Sequence, residues 1–327
     1  MTADVPPRRL SRLARRLVPL AVVSGGAIAL ATALGFVHGW WWVFDLLAAL
    51  RTQYALGFLV LALLFSLAGA RWIALVCLVG FLVNAVLIVP LYFDRPVPPR
   101  EGDVIRIMFL NTDIRGANIE ALINDLETAS HDLVFLSATT DRWAAEFESA
   151  DIPYSVVQAR PRGTSVELLL LARHGVAVET SIRDFGEGGR NKAIEAVVRL
   201  NGQPTRVLGV HPVSPATAER AARHRSFLEE IALWARLQTD PAIVVGDLNS
   251  TPWSPVFRSL LEEGGLTNSQ VGYGVQATWP VIMGPAGVPI DHLLHSSELT
   301  TVERDTGPGY GSSHRSIHVG VAMASSN

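Results

Sequence analysis

The chain has 327 residues, of which 49% are hydrophobic and 17% are charged. This composition is too apolar for an ordinary soluble enzyme and too charged for a protein built only of membrane helices. The net charge of −3 provides no basic field, so the sequence gives no specific signal for a nucleic-acid partner. We therefore expect a membrane segment joined to a folded domain.

Three uncharged apolar runs follow an arginine-rich N-terminus at residues 1–16. They cover residues 17–37, 54–70 and 72–93. A helix needs about 20 apolar residues to cross a bilayer, and about 17–25 are tolerated, so all three runs qualify and the second is marginal. We predict three transmembrane helices within residues 17–93, with residues 39–50 at the surface of the lipid bilayer. A cleaved signal peptide is the alternative for the first run.

Flanking charge sets the predicted orientation of these helices. Five arginines precede the first run, whereas Arg51 alone and Arg71 alone lie in the two connections. Because positive residues stay on the cytoplasmic side, the N-terminus is predicted to be cytoplasmic, and three crossings place the remaining chain outside the cytoplasmic (inner) membrane. If the second run does not cross, the domain is cytoplasmic instead.

Strands and helices alternate after a proline-rich linker predicted at residues 94–103. Helices are predicted after the capping residue Asn118 and at residues 215–237 and 254–263. Apolar runs predict strands at residues 104–110, 133–136, 167–172, 176–182, 193–200, 205–210, 242–245, 290–294 and 317–321. The dipeptide Asn201-Gly202 is typical of a hairpin, so the sheets of this α/β domain must be partly antiparallel.

One of these strands is followed directly by two residues that suit catalysis. Asp247 and Asn249 come just after the apolar run 242–245. Residues two apart in an extended chain point to the same face, so a carboxylate and an amide are placed to orient a water and hold an anionic oxygen. Both residue types also form turns after strands, which is the alternative interpretation.

Five further segments accompany this one in a fixed order along the chain. They read FLNT, VHP, TWP, PIDH and GSSHR, at residues 109–112, 210–212, 278–280, 289–292 and 311–315. Together with Gly246-Asp247-Leu248-Asn249, they resemble the endonuclease/exonuclease/phosphatase (DNase I-like) family, and especially its bacterial branch with an N-terminal multi-span anchor. The resemblance covers about residues 104–322 of the chain.

The resemblance implies a four-layer α/β sandwich, in which two mixed β-sheets are flanked by helices. It also implies metal-dependent hydrolysis of a phosphodiester or phosphomonoester, with Mg²⁺ or Mn²⁺ as the cofactor and a phosphate ester as the ligand. Asp247 would orient or deprotonate the attacking water, and Asn249 would hold a phosphate oxygen. His314 would stabilise the phosphoryl oxygens or act as an acid and base, while Asp291 orients its imidazole.

Two more residues receive roles from the same resemblance. Asn111 would belong to the network on the metal side, and His211 would face the scissile group. Trp253 and Trp279 are interpreted as packing residues, with a substrate platform as the alternative.

Two departures from the family pattern affect the metal site. Ala138 stands where the family has a metal-binding glutamate, and Ser313 stands where an acidic residue precedes the last histidine. The alternative function is therefore a catalytically weakened or inactive member, which binds a phosphate ligand or a partner at the membrane. Asp247 is then the one obvious acidic metal ligand, and Asp113 would share the cation with it if the chain is still extended there. The alternative, a solvated turn residue, is favoured because residues 113–116 (DIRG) are typical of a turn.

Overall fold

The computed structural model describes residues 9–37, 40–93, 96–113, 116–159 and 168–325. Two compact units make up the chain, one of residues 1–90 with 253–255 and the other of residues 91–252 with 256–327. Part of the predicted cytoplasmic N-terminus (residues 1–8) and part of the predicted linker (94 and 95) lie outside the described residues.

Helices form the first unit. They are α1 (Arg9–Leu34), α2 (Trp42–Ala48), α3 (Arg51–Ala68) and α4 (Arg71–Ile88). Within the part of the chain that the structure describes, three helical stretches are long and apolar enough to cross a membrane, namely Arg16–Leu34, Arg51–Ala68 and Arg71–Ile88. The number of candidate spans agrees with the prediction, and the marginal second run is lengthened at its N-terminal end by the residues from Arg51 onward.

Buried polar side chains connect the three long helices of this unit. Arg51 donates to the backbone carbonyl of Thr32 at 3.0 Å and to Asn84 Oδ1 at 3.4 Å. Its guanidinium also lies 4.2 Å from the centroid of the Phe36 ring. Arg51 therefore is a buried member of α3 rather than part of a connection, and its hydrogen bonds tie the helices together where apolar side chains alone give little specificity.

The described residues of the second unit form twelve strands. They are β1 (Pro99–Asn111), β2 (Leu133–Ser137), β3 (Tyr154–Ala159), β4 (Leu168–Arg173), β5 (Val178–Phe185), β6 (Asn191–Leu200), β7 (Gln203–Val210), β8 (Ala242–Asp247), β9 (Leu266–Asn268), β10 (Asp291–Ser296), β11 (Leu299–Thr306) and β12 (Ile317–Ala324). The helices beyond the first unit are α5 (Pro90–Phe93), α6 (Ile119–Leu126), α7 (Asp141–Ser149), α8 (Ala218–Arg236) and α9 (Pro255–Gly264).

The strands form two six-stranded sheets, ordered β11-β12-β1-β2-β4-β3 and β5-β6-β7-β8-β10-β9. Each sheet has one parallel pair, β1 with β2 and β7 with β8, among antiparallel pairs. Apolar side chains such as Phe109 and Val245 fill the space between the sheets. Helices α6 and α7 cover the outer face of the first sheet, and α8 and α9 cover that of the second. The predicted four-layer α/β sandwich is confirmed.

Several element predictions need correction. Helix α7 and strands β3, β9 and β11 were not predicted, and all three strands lie at the edge of a sheet. Strand β1 begins at Pro99, so it includes residues 99–103 of the predicted linker. The predicted cap is found, because Asn118 Oδ1 accepts a hydrogen bond from the Ala121 amide at 3.2 Å. Glu167, the first residue of a predicted strand, lies outside the described residues.

Candidate active site

Three strand termini bring the polar side chains of the candidate site together. Asn111 ends β1, Asp247 ends β8, and Asp291 begins β10. Because β8 and β10 are antiparallel and pair Asp247 with Asp291, these two carboxylates lie opposite each other across the ladder. A Cβ added at Gly246 would lie 2.0 Å from the Val210 carbonyl oxygen, so glycine is required where β8 delivers Asp247.

His314 connects the two carboxylates. Its Nδ1 donates to both oxygens of Asp291, at 3.0 Å and 3.2 Å. Its Nε2 lies 3.9 Å from Asp247 Oδ2. The Asn111 amide donates to that same Asp247 oxygen at 2.9 Å, and its nitrogen lies 3.4 Å from His314 Nε2. All four side chains are buried.

The loop that carries His314 is fixed by the hydroxyl of Ser312. Ser312 Oγ donates to the Asn111 carbonyl oxygen at 2.6 Å and accepts from the His314 amide at 3.0 Å. The loop between β11 and β12 is therefore bound directly to the end of β1. This arrangement explains how segments 203 residues apart, at Asn111 and His314, form one site.

His211 and Asn249 complete the group of predicted site residues. His211 Nε2 lies 3.5 Å from Asp247 Oδ2, and its Nδ1 is buried without a hydrogen-bond partner. Asn249 has a φ of 48°, and its backbone amide donates to Asp247 Oδ1 at 2.9 Å. The Asn249 side-chain nitrogen donates to the Pro212 carbonyl at 3.1 Å, away from Asp247. The six predicted catalytic positions thus lie together at one end of the sandwich.

Burial and neighbouring charge shift the pKa values of three groups in opposite directions. Burial and the charge of Asp291 raise the pKa of Asp247 to about 7. Burial lowers the pKa of His314, but Asp291 and Asp247 outweigh it and raise the pKa to about 9. Burial lowers the pKa of His211 to about 4, so this imidazole is neutral near pH 7. Protonated His314 therefore offsets the charge of the two carboxylates.

The donor atoms at this site suit a divalent cation. Asp247, Asp291 and His314 each present one ligand atom, and these atoms lie within 4.8 Å of one another. Carboxylate oxygens are the preferred ligands of Mg²⁺ and Mn²⁺, and an imidazole is compatible with Mn²⁺. The residues present therefore fit such an ion, provided that His314 is unprotonated when it acts as a ligand.

The positions that depart from the family pattern provide no further carboxylate. Ala138 is buried with a φ of 56°, and its carbonyl accepts from the Thr112 hydroxyl at 2.9 Å. Asp113 has a φ of 53°, so the premise that the chain is still extended there is wrong. Asp113 is an exposed turn residue, and its carboxylate accepts from the Ser313 hydroxyl at 2.8 Å.

Two buried histidines that were assigned no role support the loop after β8. His224 on α8 donates from Nε2 to the Leu248 carbonyl at 2.8 Å. His292 on β10 donates from Nε2 to the Ser250 carbonyl at 2.8 Å. Burial is the main cause that lowers the pKa of both, so both are neutral donors. No sequence pattern indicates His224, because its partner lies 24 residues away.

Trp279 also differs from its predicted packing role. Its side chain is 41% exposed, and its ring centroid lies 6.4 Å from that of His314. Trp253, in contrast, is buried as predicted for a packing residue. The exposed Trp279 ring therefore borders the candidate site.

Comparisons with known proteins agree with this architecture. The model of the Endonuclease/Exonuclease/phosphatase family matches residues 109–314. The fold is similar to that of D. rerio TDP2 humanised by 14 mutations, with 17% identity, a TM-score of 0.55, and coverage of 67% of this chain and 99% of that one. No curated protein sequence matches significantly.

Two bacterial structures show the same fold. The endonuclease/exonuclease/phosphatase from Beutenbergia cavernae has 16% identity and a TM-score of 0.51, over 68% of this chain and 72% of that one. The corresponding protein from Bacteroides vulgatus has 13% identity and a TM-score of 0.55, over 68% of this chain and 99% of that one.

Proposed function

The chain belongs to the endonuclease/exonuclease/phosphatase family, which its residues 109–314 match, and from this premise we propose that it hydrolyses phosphate esters. The observation that carries the proposal is the buried hydrogen-bonded pair of Asp291 and His314, which faces Asp247 at 3.9 Å. A raised histidine pKa beside a carboxylate with a raised pKa gives the acid and the base that this hydrolysis needs.

The protonation states of these residues determine which acts as the base and which acts as the acid. Asp247, when ionised, accepts a proton from the attacking water, whose oxygen forms the new bond to phosphorus. Protonated His314 donates its Nε2 proton to the ester oxygen as the old phosphorus–oxygen bond breaks. Asp291 orients the imidazole through Nδ1, and the second hydrogen of the Asn249 amide is available for a phosphate oxygen.

Members of this family generally use a divalent metal, and Mg²⁺ or Mn²⁺ would supply positive charge that offsets the charge developing on the phosphate. Asp247 and Asp291 would hold the ion through carboxylate oxygens, which leaves the Nε2 proton of His314 for the ester oxygen. The Asn111 side-chain amide donates to Asp247 Oδ2 at 2.9 Å and so helps to hold that carboxylate in place.

Hydrolysis is tested with the full chain in detergent. We expect cleavage of bis(p-nitrophenyl) phosphate or p-nitrophenyl phosphate with Mg²⁺ or Mn²⁺, and loss of cleavage with a chelator. Asp247→Asn and His314→Gln should each lower kcat by about 100-fold or more. Glu179→Gln, an exposed acid on β5, is the matched control. Equal rates in all four proteins would contradict the assignment.

A second candidate function rests on Ala138 and Ser313, which remove two carboxylates from the family pattern. In that case the domain binds a phosphate group without cleaving it. Calorimetry with inorganic phosphate separates the two functions. Binding that His314→Gln abolishes, in a protein without detectable hydrolysis, would support the binding role.

The location is also part of the proposal. The three candidate spans support a membrane anchor, and the five arginines before them support a cytoplasmic N-terminus. We place the phosphoesterase domain outside the cytoplasmic membrane on that basis.

A further inference from the structure

An exposed apolar loop borders the candidate site. It connects β9 to β10, and the sequence has no charged residue or histidine from 264 to 290. Three of its large apolar side chains face solvent: Trp279 is 41% exposed, Ile282 is 93% exposed and Met283 is 47% exposed. Several exposed apolar side chains in one loop are typical of a surface that contacts a membrane or another protein.

Backbone hydrogen bonds hold this loop against the segment that carries His314. The Val281 amide donates to the Ser313 carbonyl at 2.8 Å, and the Arg315 amide donates to the Thr278 carbonyl at 2.8 Å. The base of the loop is closed by a bond from the Val288 amide to the Trp279 carbonyl at 2.6 Å. The apolar tip is therefore fixed beside the candidate site and is not a freely moving segment of chain.

The residue types at the tip are those of a lipid interface. Tryptophan favours the headgroup level of a bilayer, and isoleucine and methionine favour the acyl region below it. An uncharged loop avoids the cost of moving ionised groups toward hydrocarbon. A protein partner of the same apolar character is the competing occupant, which the experiment below distinguishes.

The chain itself provides a reason for a bilayer to be close. Its three candidate spans end at Ile88, and β1 begins at Pro99. The ten residues 89–98 between them reach at most about 36 Å when fully extended. A bilayer crossed by α4 therefore lies within a short tether of the domain.

We propose that the loop formed by residues 279–286 inserts into the surface of the bilayer and that the site accepts the phosphate ester of a lipid. The substrate class is a phosphate ester that carries a hydrocarbon chain, with its phosphate beside His314 and its chain in the membrane. The substrate part of this inference rests on the proposed hydrolase function, and the hydrolytic step is the one given above.

Bilayer contact is tested on the full chain in vesicles of phosphatidylethanolamine and phosphatidylglycerol. Ile282→Cys, in a Cys77→Ala background, is labelled with an environment-sensitive fluorophore. Ala177→Cys, at the exposed residue just before β5, is the control. We expect blue-shifted emission at position 282, quenched by lipids that carry a nitroxide. Emission like that of the control, or a blue shift without quenching by lipid, would overturn the proposal, and the latter would indicate a protein partner.

Substrate class is tested by the ratio of two hydrolysis rates. The double variant Ile282→Ser with Met283→Ser should lower the ratio of vesicle phospholipid cleavage to p-nitrophenyl ester cleavage by about tenfold or more. Cleavage of the p-nitrophenyl ester but not of the phospholipid by the unmodified chain would refute the lipid substrate, and an unchanged ratio in the double variant would refute the role of the loop. If the unmodified chain cleaves neither compound, the hydrolase proposal has failed, and the fluorescence experiment still decides bilayer contact on its own.

Discussion

His314 and its two carboxylate neighbours define the site at the scale of single residues. The Nδ1 hydrogen bonds to Asp291 leave Nε2 directed toward Asp247, 3.9 Å away. Each charge therefore influences the other, because burial leaves little water to screen them. The arrangement keeps an acid protonated and a base ionised in the same range of pH, which is what ester hydrolysis requires.

The pH dependence of hydrolysis follows from these charges. Activity should rise as Asp247 ionises through a pKa of about 7 and fall as His314 loses its proton through a pKa of about 9. Asp291→Asn removes a charge that raises the pKa of His314, so the falling limb should move to lower pH. A profile of kcat against pH for both proteins measures this. An unmoved alkaline limb would show that His314 is not the acid.

The missing carboxylate at position 138 has a measurable consequence. Ala138→Glu should tighten binding of Mn²⁺ by about tenfold or more, because it restores a negative oxygen ligand. Ala138, which has a Cβ, already adopts a φ of 56°, so a glutamate at this position meets the same backbone conformation. Calorimetry of the full chain measures the affinity, with the exposed Ala177→Glu as control. Equal affinities for both variants would place the ion elsewhere.

At the scale of elements, a helix and a strand hold the loop after β8 from two sides. Helix α8 contributes His224 and strand β10 contributes His292, and each donates to a carbonyl of the loop after β8 at 2.8 Å. This loop follows Asp247 and carries Asn249, so a buried histidine of α8 holds in place a segment of the candidate site that lies outside that helix. Without these donors, two backbone carbonyls would be buried without partners.

His224 should therefore behave as a positioning residue. His224→Ala leaves the Leu248 carbonyl without its donor and should cost about 1–3 kcal/mol of stability, with a lower kcat and a nearly unchanged KM. His224→Gln, whose amide nitrogen can take the place of Nε2, should recover most of kcat. Thermal unfolding and kinetics of both variants test this, with exposed His174→Ala as control. A fully active His224→Ala protein would exclude the role.

The whole molecule combines apolar helices with a sandwich domain, and this division explains its unusual composition. The candidate spans carry the apolar excess, whereas the domain has the buried core of a folded globular unit. Three crossings, if all occur, put the ends of the chain on opposite sides of the membrane.

Reporter fusions test this topology. Alkaline phosphatase fused after residue 325 should be active, whereas a reporter that works only in the cytoplasm should be silent there. A fusion after Ala70 should give the reverse result, since two crossings return the chain to the cytoplasm. A silent phosphatase at the C-terminal fusion, beside an active cytoplasmic reporter, would refute the predicted orientation.

The sequence by itself determined the central strands, the long helices and the polar residues at the strand ends. Those strands are covered on both faces, so they form continuous apolar runs such as 133–136 and 242–245. Strands β3, β9 and β11 were missed, whereas β5, which also lies at a sheet edge, was predicted from the run at residues 176–182. The patterns of the missed strands are short or mixed in burial, so no period was visible.

Only the tertiary structure decided which of these residues touch. Asp247 and Asp291 are 44 positions apart, and their pairing depends on the register of β8 with β10. The donor role of His224 and the exposure of Ile282 likewise depend on contacts between distant segments. Local sequence specifies residue type and periodicity, but pKa shifts and solvent exposure arise from neighbours that folding supplies.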